Sequence, residues 1–159
     1  MKNKSTFRLI VAILICQSAG LLGTLTMNDA FAEWYPSLVK PAFNPPGWVF
    51  GPAWILLYTL MGIALYVVWQ KKKSKNRDLA IAAFAIQLVL NAMWTPIFFG
   101  MQQVFYALLD ISLLWIMIAL TIYLFSRISK AAAWLLVPYL AWVTFAMILN
   151  YSIWQLNMV

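Results

Sequence analysis

A chain of 159 residues that is 65% hydrophobic and only 9% charged carries too few charges to face water as a soluble protein of its size. Its formal net charge of +7 comes from eleven Lys and Arg against four acidic residues, but these cations form no helical stripe interleaved with aromatics, so nucleic acid is not an expected partner. There is no histidine and one cysteine, Cys16. That excludes imidazole general-base chemistry and a Ser-His-Asp triad, leaves no internal disulfide, and gives no expected metal site.

A hydrocarbon core about 30 Å thick takes roughly 20 apolar residues per helix. Five runs meet that need, at about 7–27, 47–69, 79–99, 104–125 and 131–154. The expectation is an all-α integral membrane protein with a single transmembrane domain over 1–159. It is read as a bundle of five transmembrane helices with a proline-rich outer loop between the first and second.

The first span and the Ala30-Phe31-Ala32 that follows it imitate a secretory signal with a cleavage site. The apolar run is nearer 20 residues than the about 7–15 of a signal core, so it is read as a membrane helix. Its Ala19, Gly20, Gly23 and Thr24 allow close approach of another helix, within the chain or across a dimer seam. The loop carries Pro36, Pro41, Pro45 and Pro46, each of which fixes its own φ and extends the residue before it. A stiff connection bearing aromatic rings can act as a lid.

The second span opens with Pro45-Pro46-Gly47-Trp48 and meets Pro52 near its first turn, where a missing N–H matters least. It closes with Tyr66 and Trp69 at the interface, followed by Lys71 to Lys73 as a topology signal and headgroup anchor. In the third span Gln87, Asn91, Trp94 and Thr95 share a face that should point inward. The fourth carries Asp110, with Tyr106 a turn before and Leu113 about a turn after. The fifth contains Pro138, an expected kink, then Tyr139, Trp142, Phe145, Ala146 and Leu149 on one face.

Ten of the basic residues precede the first span or lie between spans two and three or four and five, against Lys40 alone on the other side. The positive-inside rule then expects a multi-pass cell-membrane protein with a cytoplasmic N-terminus and the 28–46 loop and C-terminus outside. At about 1.5 Å per residue, Trp54, Asn91 and Asp110 lie at one depth beneath that loop, and Trp142 a little deeper. A pocket in the outer half of the bundle, roofed by residues 28–46, is the resulting hypothesis.

These residues resemble the tryptophan-rich sensory protein and translocator protein family, once called the peripheral benzodiazepine receptor. The resemblance rests on Trp34-Tyr35, Lys40-Pro41, the run from Pro45 to Trp54, Leu57-Tyr58 with Met61-Gly62, Gln87 through Asn91 to Trp94, Phe98-Phe99-Gly100, Pro138 to Trp142, and Leu149-Asn150-Tyr151. It spans nearly the whole chain. It implies a five-helix bundle, usually a homodimer in the lipid bilayer, that binds porphyrins, sterols and isoquinoline or benzodiazepine-type drugs. Protoporphyrin IX is the implied ligand, with no covalently bound cofactor, and its light-dependent oxidative breakdown is the implied chemistry.

Carried over, the ligand pocket of the family falls on Trp54, Asn91, Trp94, Asp110, Leu113, Trp142, Ala146 and Leu149. Further ligand contacts are expected from Trp34, Tyr35, Lys40, Pro45 and Trp48 in the lid region and from Tyr58 and Tyr106 on the helices. Trp54 and Trp142 are the candidate redox residues, and Lys40 is placed to meet a propionate. Trp69, Trp115, Trp134 and Trp154 are read as packing or interfacial belts, and Trp34 is weighed for both roles. Asp110 has no second titratable group beside it, so it is read first as a hydrogen-bonding partner of neighbouring helices.

Two positions depart from the animal members of the family. The sterol-recognition pattern needs a basic residue shortly after the tyrosine, where Tyr151 is followed by Gln155. Tyr106 stands where those members carry tryptophan. The competing function, transport of porphyrins or sterols, lacks the inverted repeat and paired broken helices of a typical secondary transporter.

Overall fold

Apolar runs bounded by serine caps and prolines fold as helices throughout the computed structural model, which describes residues 2–158. Residues 1 and 159 of the expected domain, and the side chains of Lys2 and Lys4 in the basic N-terminal group, lie outside the described ones. The long helices are α1 (Lys2–Leu25), α3 (Phe50–Trp69), α4 (Lys75–Thr95), α5 (Val104–Ser126) and α6 (Lys130–Leu156); α2 (Trp34–Ser37) is one turn within the loop. No strand occurs among the described residues.

The helix starts show why the apolar runs are too short a guide. Ser74 and Ser129 sit in extended backbone, and their hydroxyls accept from the amides of Arg77 and Ala132, satisfying donors that a helix N-terminus leaves free. Helix α4 therefore begins at Lys75, four residues before its apolar run, and α6 at Lys130. Helix α1 ends at Leu25, two residues early, where Thr26 and Met27 turn back on the Gly23 and Thr24 carbonyls.

Proline shapes the other end of α4. Pro96 has no N–H to continue the ladder, and the chain widens into one π-helical turn, Pro96–Gly100, with the Met101 amide donating to the Pro96 carbonyl at 2.8 Å. This turn holds Phe98 and Phe99 inward, 1% and 7% exposed.

Close approach joins α1 to α3. A Cβ on Gly62 would stand 2.6 Å from the Ile13 Cα, and one on Gly20 would strike the Tyr58 ring. Ala12, Cys16 and Ala19 are buried in the same seam. The small residues Ala19, Gly20 and Gly23 thus serve packing within the chain, while Thr24 is exposed. Helix α6 then packs against α3 and α5, and α4 against α5 and α1, so the five helices enclose a main core and a second cluster around Phe98, Phe99 and Leu149.

Each long helix has the length and hydropathy to cross a bilayer, with spans of 21 to 27 residues. Their outward faces are apolar too, as at Phe7, Leu14, Ile55, Leu56, Val89, Ile116 and Trp134. The chain is a multi-pass membrane protein.

Candidate ligand site

A hydrogen-bonded chain of buried polar side chains crosses the bundle between α3, α4 and α6. The Tyr58 hydroxyl donates to Asn91 Oδ1 at 2.6 Å. Asn91 Nδ2 donates to the Tyr139 hydroxyl at 3.0 Å, which donates in turn to Gln87 Oε1 at 2.9 Å. In hydrocarbon no water is available to do this work, so these groups satisfy each other. Trp54 lies on this chain, stacked on the Tyr58 ring at 5.2 Å and edge-on to Tyr139 at 6.2 Å.

Three buried polar atoms nearby have no partner among the described residues: Gln87 Nε2, Asp110 Oδ2 and Trp142 Nε1. Such atoms are rare in a packed interior, and each costs about 1–3 kcal/mol when unpaired. Two are donors and one is an acceptor. Trp142 also sits under a rim of aromatic rings, with Phe50 at 6.0 Å and Phe145 at 5.7 Å, and Phe43 of the loop reaches Phe145 at 6.3 Å.

The loop is docked over this end of the bundle. Phe31, Trp34 and Tyr35 pack on Phe98 and Phe99, and Trp94 stacks on Phe98 at 4.8 Å. Trp94 Nε1 also donates to Asn150 Oδ1, whose amide nitrogen donates to the Val104 carbonyl. The far side of the loop is tied to the end of α6, where Asn157 and the backbone of Val39 exchange two hydrogen bonds of 2.9 and 3.0 Å.

Between α3 and α6 runs a groove of about 440 Å³, lined by Ala53, Leu56, Leu57, Pro138, Ala141, Trp142 and Phe145. Leu56 and Ala141 are exposed, so the groove opens on the lipid-facing side of the bundle. Trp142 and Phe145 link it to the aromatic rim.

The sequence model of the TspO/MBR family matches residues 12–155. The chain belongs to the TspO/MBR family. It is 47% identical over 157 residues to the tryptophan-rich protein TspO of Chlorobaculum tepidum, covering 98% of this chain and 99% of that one. The tryptophan-rich sensory protein of Cereibacter sphaeroides is 41% identical, covering 89% and 86%. The human translocator protein is 41% identical, covering 86% and 82%.

The fold gathers only part of the residue set that the family resemblance implies. Trp54, Tyr58 and Asn91 meet directly through the contacts above. Asp110 and Trp142 are half-buried with a covered, unpartnered atom each, and Ala146 packs against the same core. Trp34, Tyr35, Trp94 and Leu149 belong to the cluster beneath the loop, where Leu149 is 6% exposed. Pro45 is half-buried in the loop. Trp48, Tyr106 and Leu113 point outward, at 76%, 60% and 49% exposure, and are not brought into the interior.

Lys40 is turned away from the interior. Its ammonium donates to the carbonyls of Tyr35, Pro36 and Leu38, which uses all three of its donors, and stands 4.9 Å from the centre of the Tyr35 ring. It closes the end of α2. The Tyr35 hydroxyl, in turn, donates to Asn44 Oδ1; burial pushes its pKa above 10.0, and that hydrogen bond pulls it back in part.

Three further contributors come from the structure, Phe43 and Phe50 in the rim and Asn157 in the loop tie, while Phe145 joins the rim from the same face of α6 as Trp142. Phe43 gave no sequence signal beyond hydrophobicity, and Phe50 none beyond its place in the proline-rich run. A polar residue one past the last apolar turn, Asn157, is the kind of helix-ending signal that can be read.

Proposed function

We propose that this TspO/MBR family member binds tetrapyrroles, with protoporphyrin IX as ligand, in the interior framed by Trp54, Asn91, Asp110 and Trp142. The observation that carries the reading is the pair of covered, unpartnered atoms on the facing helices α5 and α6, Asp110 Oδ2 and Trp142 Nε1. The propionic groups of a porphyrin can answer both, a protonated carboxyl donating to the first and a carboxylate oxygen accepting from the second. Its flat apolar face suits stacking on indole and phenol rings. With no histidine in the chain, the free base is a better match than haem.

The ligand comes from the bilayer through the α3–α6 groove, where Trp142 and Phe145 form the wall that must turn aside. The docked loop lifts or shifts to make room. Isoquinoline and benzodiazepine-type drugs, smaller and also flat, use the same aromatic surfaces. In light, the bound pigment supplies the photochemistry and dioxygen the oxidising equivalents, while the chain orients the ring and excludes water. Trp54 and Trp142 are the electron donors closest to it. The protein acts in the cell membrane as a homodimer, with its N-terminus in the cytoplasm and the loop outside, in keeping with its basic-residue asymmetry.

Protoporphyrin titrated into purified protein, followed by tryptophan quenching, tests the reading against Asp110→Leu. The variant should melt higher than wild type without ligand, because an unpaired buried acceptor is gone, and bind about tenfold more weakly, equivalent to about 1.4 kcal/mol. Lower melting with unchanged binding would mean that Asp110 serves only the fold. Illumination of the complexes of Trp54→Phe and Trp142→Phe then tests the redox role. Equal pigment loss in these variants and wild type removes that role and leaves binding.

A further inference from the structure

The end of the bundle opposite the loop is a concentrated, unneutralised cation surface. Lys71, Lys72, Lys73 and Lys75 occupy the turn between α3 and α4, all exposed, and none makes an ion pair among the described residues. Arg8 of α1 lies beside them with its guanidinium 5.9 Å from the centre of the Trp69 ring. Asp78 is the one acidic residue of this end, and the Arg77 fork takes it at 2.8 and 3.2 Å. Arg77 also donates to the Lys71 carbonyl at 3.1 Å, which fixes the shape of the turn.

Height decides what such a surface meets. Trp69 ends an apolar span and Tyr66 lies one turn before it, joined to Ser5 by a hydroxyl–hydroxyl hydrogen bond. Amphipathic rings of this kind settle at the headgroup level. The lysines begin two residues past Trp69, so their ammonium groups stand at the phosphates of the same leaflet. We propose that the α3–α4 turn, with Arg8, is a binding surface for anionic phospholipid headgroups. The phosphodiester charges replace the carboxylates that the protein does not supply, and the flexible lysine stems adapt to lipids around the bundle edge. The second basic turn, at Arg127 and Lys130, holds two cations against five and contributes less.

Full-length protein in detergent is equilibrated with equal amounts of phosphatidylglycerol and phosphatidylcholine, and the lipids co-eluting with it are counted by mass spectrometry. Each lysine near an anionic surface is worth about 1 kcal/mol, so phosphatidylglycerol should be enriched at least about fivefold. The enrichment should fall towards parity as salt rises from about 0.1 M to about 1 M. The quadruple Lys71→Gln, Lys72→Gln, Lys73→Gln, Lys75→Gln variant should lose most of it, and Arg127→Gln with Lys130→Gln should keep more than half. The salt series on wild type tests the claim without any variant. Enrichment that survives high salt, or is equal in wild type and quadruple variant, overturns it. Displacement of the lipid by excess glycerol phosphate also overturns it, since the site would then take soluble phosphates.

Discussion

Tyr58 and Asn91 meet in the bundle interior through a 2.6 Å hydrogen bond from the phenol to the amide oxygen. Asn91 also donates to Tyr139, so one side chain of α4 holds both α3 and α6. Asn91→Leu leaves two buried hydroxyls short of a partner and should cost about 1–3 kcal/mol. Tyr58→Phe leaves one buried acceptor, Asn91 Oδ1, without its donor and should cost less. Thermal melting in detergent checks the order: Asn91→Leu lowest, Tyr58→Phe between it and wild type. A variant order reversed from this would show that Asn91 is not the hub.

Asn157 ties the loop to the bundle by two hydrogen bonds to Val39. Asn157→Ala removes both, together with a 2.7 Å bond to the Ile153 carbonyl, at a half-exposed helix end, so global melting should change little. Local order should change more: hydrogen exchange in residues 34–46 should speed up severalfold, since loop opening no longer breaks this tie. Protoporphyrin should slow exchange in the same segment. Identical exchange in the variant and wild type, with and without ligand, would rule out a loop that lifts.

The Tyr35 hydroxyl has its pKa raised by burial, with the Asn44 hydrogen bond opposing in part. A raised folded value means that its contribution is intact below 10.0 and is lost as pH rises through the folded pKa. Loop exchange should therefore be insensitive to this group between about pH 6 and 9 and accelerate only in stronger alkali. Tyr35→Phe should abolish the alkaline step. An alkaline step that persists in Tyr35→Phe would assign it to another group.

Gly62 faces backbone, with the Ile13 Cα 2.6 Å from where its Cβ would be, whereas Gly51 has nothing within 4 Å. Gly62→Ala must push α1 off α3 and should destabilise by about 1–3 kcal/mol. Gly51→Ala should be neutral or gain up to about 1 kcal/mol from helix propensity. Paired melting curves distinguish them, and equal effects would contradict so tight a seam.

That Trp54 and Asn91 come close was legible, because helical rise converts residue count directly into depth, and Tyr58 joins the two in the structure. Azimuth was not. Tyr106 and Leu113 share the side of α5 with Asp110, but that carboxyl stands at the edge of the buried face, so its neighbours one turn away turn out to lipid. The bond of Asn91 to two particular tyrosines depends on how three helices rotate together, which no single periodicity contains. Lys40 shows a second gap. Sequence reading matched its charge to a ligand propionate, while carbonyls at the end of α2, two to five residues away, capture it first. The starts of α4 and α6 were missed by four residues and one because serine caps, not the apolar boundary, set them.

Mapping where a bound porphyrin delivers its oxidising chemistry tests the interior site most directly. Protein loaded with one equivalent of protoporphyrin IX is briefly illuminated, and oxidation at each tryptophan is quantified by peptide mass spectrometry. Trp54 and Trp142 are half-buried, while Trp48 and Trp134 are 76% and 71% exposed on the outside of the bundle. A ligand held in the interior predicts oxidation at Trp54 and Trp142 well ahead of Trp48 and Trp134. Oxidation that follows exposure, with Trp48 and Trp134 first, would place the pigment in the surrounding lipid and contradict the site.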